Sequence, residues 1–132
     1  MRRTVLDASA VVGFFEDRPG AEKVEEMLSQ GIAGKAELLM SVVNWGEIYY
    51  SVWRAKGESA ARKVMAEIAQ LPIEIITADL TLTKLAAEIR AQHKLPYADC
   101  FAAALAKLRK ARVATSDQDF SVLKSAVEIL FI

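Results

Sequence analysis

With 132 residues, 53% of them hydrophobic, the chain has the size of one compact domain that can fill a core without disulfides or a structural metal. Lys plus Arg number 17 and so do Asp plus Glu, and a net charge of zero argues against a protein that holds nucleic acid by bulk charge. The single Cys100 excludes an internal disulfide, and no stretch reaches the ~20 apolar residues of a membrane helix.

The apolar start MRRTVLDASAVVGFFED is interrupted by Asp7 and lacks a signal-peptide cleavage site, so a cytoplasmic protein is expected. Residues 3–7 (RTVLD) read as a first strand ending at that Asp, and SAVVGFFE as a short helix that stops before Arg18-Pro19-Gly20. Ala21 to Gln30 is a second helix with Val24, Met27 and Leu28 in an apolar row, closed by Gly31. Glu37 to Ser41 reads as a strand, after which Asn44 can cap a helix that runs to Lys56 and ends at Gly57. Glu58 to Leu71 continues helical up to Pro72. Residues 73–77 (IEIIT) form a third strand, Leu80 to His93 a helix, and Pro96 opens another helix through Ala111. Arg112 to Thr115 is a fourth strand, SDQDFSVL a helical turn, and Val127 to Ile132 a fifth strand.

Strands separated by helices require right-handed crossovers and parallel pairing, and the near-continuous apolar runs ELLM, IEII and VEILFI suit strands covered on both faces. The expected fold class is α/β: a three-layer sandwich with a mostly parallel sheet of about five strands, in one domain over residues 1–132. The strand order is left open.

In such sheets sites form beyond the carboxyl ends of the strands. Asp7 closes the first strand and Asp117 follows the fourth, although either can be read as a helix cap. Asp99 lies in the first turn of the helix opened by Pro96. At ~100° per residue it shares a face with Ala102, Ala103 and Ala106, opposite Phe101, Leu105 and Leu108. A carboxylate on a face of small, closely packed residues needs a partner or an ion. Glu47 lies opposite the apolar cluster Trp45, Ile48, Tyr49, Val52 and Trp53, beside Ser51 and Arg54, and by periodicity alone reads as exposed. Carboxylates suit hard divalent cations such as Mg²⁺ or Mn²⁺, and without a cation a convergent set would repel and take up protons.

The motifs VLDASAVV, SVVNWGEI, LPYADCFAAALA and ATSDQDF, in that order along the whole length, resemble PIN-domain ribonucleases, in particular the VapC toxin of VapBC toxin–antitoxin pairs. The resemblance implies a PIN-like α/β/α sandwich and metal-dependent cleavage of RNA. It further implies a homodimer and inhibition by a cognate antitoxin protein. By the same resemblance Asp7, Glu47, Asp99 and Asp117 stand where the family has its catalytic, metal-binding acidic quartet around Mg²⁺ or Mn²⁺. Asp119 is a second candidate for the last acidic position, and Ser9 and Thr115 for hydroxyls that brace the site. The chain departs from the pattern at Ala8, where the family often carries Thr or Ser.

Trp45, Tyr49 and Trp53, spaced by four, read either as core or as a surface for an antitoxin or a second subunit. The basic runs Lys107, Arg109, Lys110, Arg112 and Arg54, Lys56, Arg62, Lys63 read as solvated helix surface or as a rim for RNA phosphates. His93 and Pro72 read as helix-end residues, and Cys100, among Ala and Phe, as a buried thiol. A receiver-like signalling domain would want an acidic pair by the first strand and a Lys after a late strand. A haloacid-dehalogenase-type phosphatase would want Asp at position 9, where this chain has Ser9. A processing nuclease outside toxin–antitoxin systems and a non-catalytic PIN binding module are the alternatives within the fold.

Overall fold

A computed structural model describes residues 2–132. The first strand, β1 (Arg2–Leu6), is followed by helices α1 (Ala8–Phe15) and α2 (Ala21–Ile32), then β2 (Ala36–Ser41). Helices α3 (Val42–Lys56) and α4 (Glu58–Ile68) lead to β3 (Ile73–Ile76), and α5 (Leu80–Gln92) and α6 (Tyr97–Arg109) to β4 (Arg112–Thr115). A 3-10 turn over Gln118–Leu123 precedes β5 (Ile129–Phe131).

The strands form one sheet in the order β3-β2-β1-β4-β5, and every pairing is parallel. Successive side chains of a strand point to opposite faces, and here both faces are covered. Val5, Leu39 and Val113 pack with α5 and α6, together with Phe120 and Leu123. Their neighbours Leu6, Leu38, Met40 and Ala114 pack with residues of α1 to α4. The continuous apolar runs are therefore two alternating sets, one for each layer of helices.

Several boundaries differ from the sequence expectation for identifiable reasons. Ser41, not Asn44, caps α3: its hydroxyl accepts the Val43 N–H at 3.2 Å, and Asn44 sits within the first turn, buried. Gly31 does not close α2, which runs to Ile32, and the left-handed residue that turns the chain is Gly34 at φ +74°. The last strand contracts to Ile129–Phe131, because only Ile129, Leu130 and Phe131 find register partners on β4. Helix α6 has no two-faced character: every residue from Asp99 to Ala106 is buried, and its exposed large hydrophobic side chains, Tyr97 and Leu108, lie at its two ends. It is wedged between the sheet, α3 and α5, so small residues are wanted all round. Gly20 is held by close approach, since at φ +97° a Cβ would lie 2.7 Å from the Ile132 carbonyl carbon. Among the described residues no helix is long and apolar enough to cross a membrane.

Candidate functional site

Parallel pairing puts the carboxyl ends of β1, β2 and β4 side by side at one edge of the sheet. Asp7 follows β1, Ser116 and Asp117 follow β4, and α3, which carries Glu47, leaves directly from β2. Helix α6 runs back toward the opposite edge, so its first turn, with Asp99, belongs to the same end.

Asp7 is 1% exposed and fully engaged. Its Oδ1 accepts the Ala10 N–H at 2.9 Å, which caps α1, and the Ser9 hydroxyl at 2.8 Å, while its Oδ2 accepts the Thr115 hydroxyl at 2.5 Å. The helix-cap and candidate-ligand readings of Asp7 thus fall on one side chain. Ser9 Oγ in turn accepts the Ser116 N–H at 3.1 Å, and Thr115 Oγ1 accepts the Asp117 N–H at 2.9 Å. Two hydroxyls thereby tie the ends of β1 and β4 together around one carboxylate. Asp117 caps the 3-10 turn through the Asp119 N–H at 2.9 Å. The Asp119 side chain is exposed, and only its backbone enters this network.

Asp99 is 6% exposed, and its Oδ2 has no hydrogen-bond partner. Burial, after it the charges of Asp117, Asp7 and Glu47, and last a side-chain hydrogen bond with Asp117 raise its pKa from 3.8 to about 8. All three other members of the expected quartet therefore lie near enough to act on Asp99. Asp7 is raised to about 6, chiefly by burial, against the lowering effect of its bonds to Thr115, Ala10 and Ser9. Glu47, expected at an exposed face, is half-buried, with Oε1 accepting from Asn44 Nδ2 at 3.4 Å.

Asn44 is the site residue that sequence reasoning missed. Its amide also donates to the Ala98 carbonyl at 3.1 Å, next to Asp99. Its place three residues before Glu47, hence on the same helix face, was the available signal, and the cap reading absorbed it.

Among the described residues no three His, Cys, Asp or Glu side chains stand as a ready-made metal cage. The donor chemistry nonetheless fits a hard cation. The set is all oxygen, Asp99 Oδ2 is buried without a donor, and the like charges around it disfavour its ionisation until a positive charge is supplied. A cation that keeps several waters needs only one or two protein carboxylates directly.

The basic run begins in the last turn of α6, at Lys107 and Arg109, and continues through Lys110 to Arg112. Arg112 opens β4, donates to Thr4 Oγ1 at 3.0 Å, and lies at the other edge of the sheet from Asp99. Trp53 is exposed, whereas Trp45 and Tyr49 are half-buried and stack edge to face. Cys100 is buried, its thiol donating to the Leu95 carbonyl at 3.6 Å.

The sequence model of one family, the PIN domain, matches residues 4–125. None of the curated proteins compared with the chain matches it. Among solved structures it is similar to VapBC2 from Rickettsia felis bound to a DNA fragment of its promoter, with TM-score 0.75, 17% identity and 98% of each chain covered. DNA-bound VapBC from Salmonella typhimurium gives TM-score 0.74 at 17% identity, over 99% of this chain and 98% of that one. The Mycobacterium tuberculosis VapC20, a sarcin-ricin-loop-cleaving toxin, gives 0.68 at 13% identity, over 94% and 95%. At these identities the likeness is one of fold.

Proposed function

Since this chain belongs to the PIN domain family, we propose that it is a metal-dependent endoribonuclease and the toxin of a type II toxin–antitoxin pair. On this reading residues 1–132 form a single cytoplasmic domain that works as a homodimer, cleaves RNA, and is held inactive by a cognate antitoxin protein. The observation that carries the nuclease reading is Asp99, a buried carboxylate with a free oxygen, pressed by the charges of three others. Folding tolerates such an arrangement at a cost to stability, and a divalent cation relieves it. The solved toxin–antitoxin structures of the same fold support the toxin role.

Asp7 and Asp99 would hold Mg²⁺ or Mn²⁺ most directly, with Glu47 and Asp117 completing the acidic pocket and Asp119 at its margin. When bound, the cation supplies Lewis acidity toward a phosphodiester and lowers the pKa of water. The chain does the rest. Ser9 and Thr115 hold the Asp7 carboxylate in one orientation and favour its ionised form against the effect of burial. Burial around Asp7 and Asp99 lowers the local dielectric, so that their charges act strongly on whatever lies between them. No histidine serves as a base: the only one, His93, follows the far end of α5.

The test is cleavage of total cellular RNA by purified protein, with Mg²⁺ or Mn²⁺ and with EDTA. Folded Asp7→Asn and Asp99→Asn variants should be inactive. Cleavage that persists in EDTA or in both variants would remove the metal-centre reading. If no co-purified peptide is present and the stripped protein still leaves RNA intact, the binding-module reading takes its place. The toxin role predicts growth arrest on expression and rescue by the product of a small adjacent gene.

A further inference from the structure

Asn44 is buried to 0% exposure within the first turn of α3, where an asparagine has poor helix propensity and an amide must find partners for both its ends. Its nitrogen finds two acceptors on two elements: Glu47 Oε1 in the same helix at 3.4 Å, and the Ala98 carbonyl at the start of α6 at 3.1 Å. Neither neighbour can donate, so the amide has only one sensible orientation: nitrogen toward them, Oδ1 away. That Oδ1 is left buried with no partner. An apolar side chain of similar volume would fill the position without stranding an acceptor, so packing alone does not account for the amide.

What the amide does is tie the carboxylate of one helix to the backbone of another. Glu47 belongs to α3, and Ala98 is the peptide neighbour of Asp99. One side chain therefore links the Glu47 carboxylate to the backbone that carries Asp99. The two stranded buried oxygens, Asn44 Oδ1 and Asp99 Oδ2, both belong to this α3–α6 junction. The Asn44 amide is the one side-chain donor to the Glu47 carboxylate among the described residues.

We propose that Asn44 is a positioning residue that holds Glu47 at a set distance from Asp99 and thereby raises the affinity of the acidic pocket for a divalent cation. The inference rests on the metal-centre reading above and adds to it a residue outside the expected quartet. It acts through Glu47 and touches neither RNA nor the reacting atoms.

The experiment is a double-mutant cycle on the full-length protein, stripped with EDTA and titrated with Mn²⁺ by calorimetry, using wild type, Asn44→Ala, Glu47→Ala and the double variant. Loss of a residue that orients a ligand weakens metal binding by about 10–100-fold, and Asn44→Ala should fall in that range. In the Glu47→Ala background the same substitution should cost less than about threefold, because the group it positions is gone. Asn44→Ser, which retains one donor, should recover part of the affinity, and in RNA cleavage Asn44→Ala should lower kcat with little change in KM. Equal fold-losses in both backgrounds would mean that Asn44 only packs α3 against α6, and the proposal would fall while the metal centre stood. If Asn44→Ala does not fold, the cycle is read with Asn44→Ser under the same criterion. Absence of Mn²⁺ binding in the folded wild type would overturn the metal-centre reading, and this inference with it.

Discussion

The two edges of the sheet treat charge in opposite ways on the same strands. At the amino edge charges are paired between strands: Arg3 of β1 faces its register partner Glu37 of β2 at 3.0 Å, and Arg2 meets Glu128, just before β5, at 2.6 Å. Arg3 also donates to the Arg109 carbonyl, and Arg112 to Thr4. At the carboxyl edge four carboxylates gather with no Lys or Arg recorded in an ion pair with any of them among the described residues. One edge is solvated and carries paired charges, whereas at the other Asp7 and Asp99 are buried and held above their ordinary pKa. The first arrangement asks nothing further of the environment, whereas in the second like charges stand without a compensating cationic side chain among the described residues.

The largest effect expected from breaking this contrast is on catalysis. Asp7→Asn and Asp99→Asn should each reduce metal-dependent RNA cleavage by more than the ~100-fold typical of losing an outer support, measured as single-turnover rates in Mn²⁺. Next comes Thr115→Val, which removes the hydroxyl that donates to Asp7 and accepts from the Asp117 N–H, so that this N–H is stranded. It should destabilise the protein by about 1.5–3 kcal/mol in urea unfolding, as loss of a hydrogen bond to a charged group does. Asp99→Asn should do the reverse in EDTA: neutralising the pressed carboxylate should stabilise the metal-free protein by on the order of 1–2 kcal/mol, a Tm gain of several degrees. In Mn²⁺ that advantage should vanish, and an Asp99→Asn protein no more stable in EDTA than the wild type would mean the negative edge carries no strain.

The pH dependence follows from the same groups. Asp7 and Asp99 titrate in the folded protein at about 6 and about 8, both above the ordinary 3.8. Between roughly pH 4 and 8 the folded state therefore binds more protons than the unfolded chain, so metal-free stability should fall as pH rises through that window and level off above it. Urea midpoints in EDTA at spaced pH values check the sign, and saturating Mg²⁺ should flatten the profile. The smallest effect belongs to the other edge. Arg3→Ala breaks an exposed pair and should cost under about 1 kcal/mol without altering Mn²⁺ affinity.

Much of the scaffold was legible in local pattern. Strand β4 spans Arg112–Thr115 as read from the sequence, and α3 ends where Gly57, at φ +94°, can leave a helix at low cost. The alternation of strands with helices dictated parallel pairing, because a crossover helix leaves no other direction. Glu47 was misjudged because periodicity counts only the apolar stripe of its own helix. The Asn44 amide faces it from the same helix and is itself bonded to α6, a packing that the stripe does not report. Helix α6 was read as two-faced for the same reason: its surroundings on three sides are supplied by segments far away in sequence.

By itself, then, the sequence determined the elements, their parallel sense, and the placing of Asp7 and Asp117 just beyond strand ends, since propensity, capping and periodicity act over a few residues. The tertiary structure alone decided that β1 lies between β2 and β4, that α6 brings Asp99 to their shared edge, and that Asn44 spans α3 and α6. Those are contacts between residues tens of positions apart, chosen by how the two apolar faces of the sheet are best covered, and no local pattern encodes that choice.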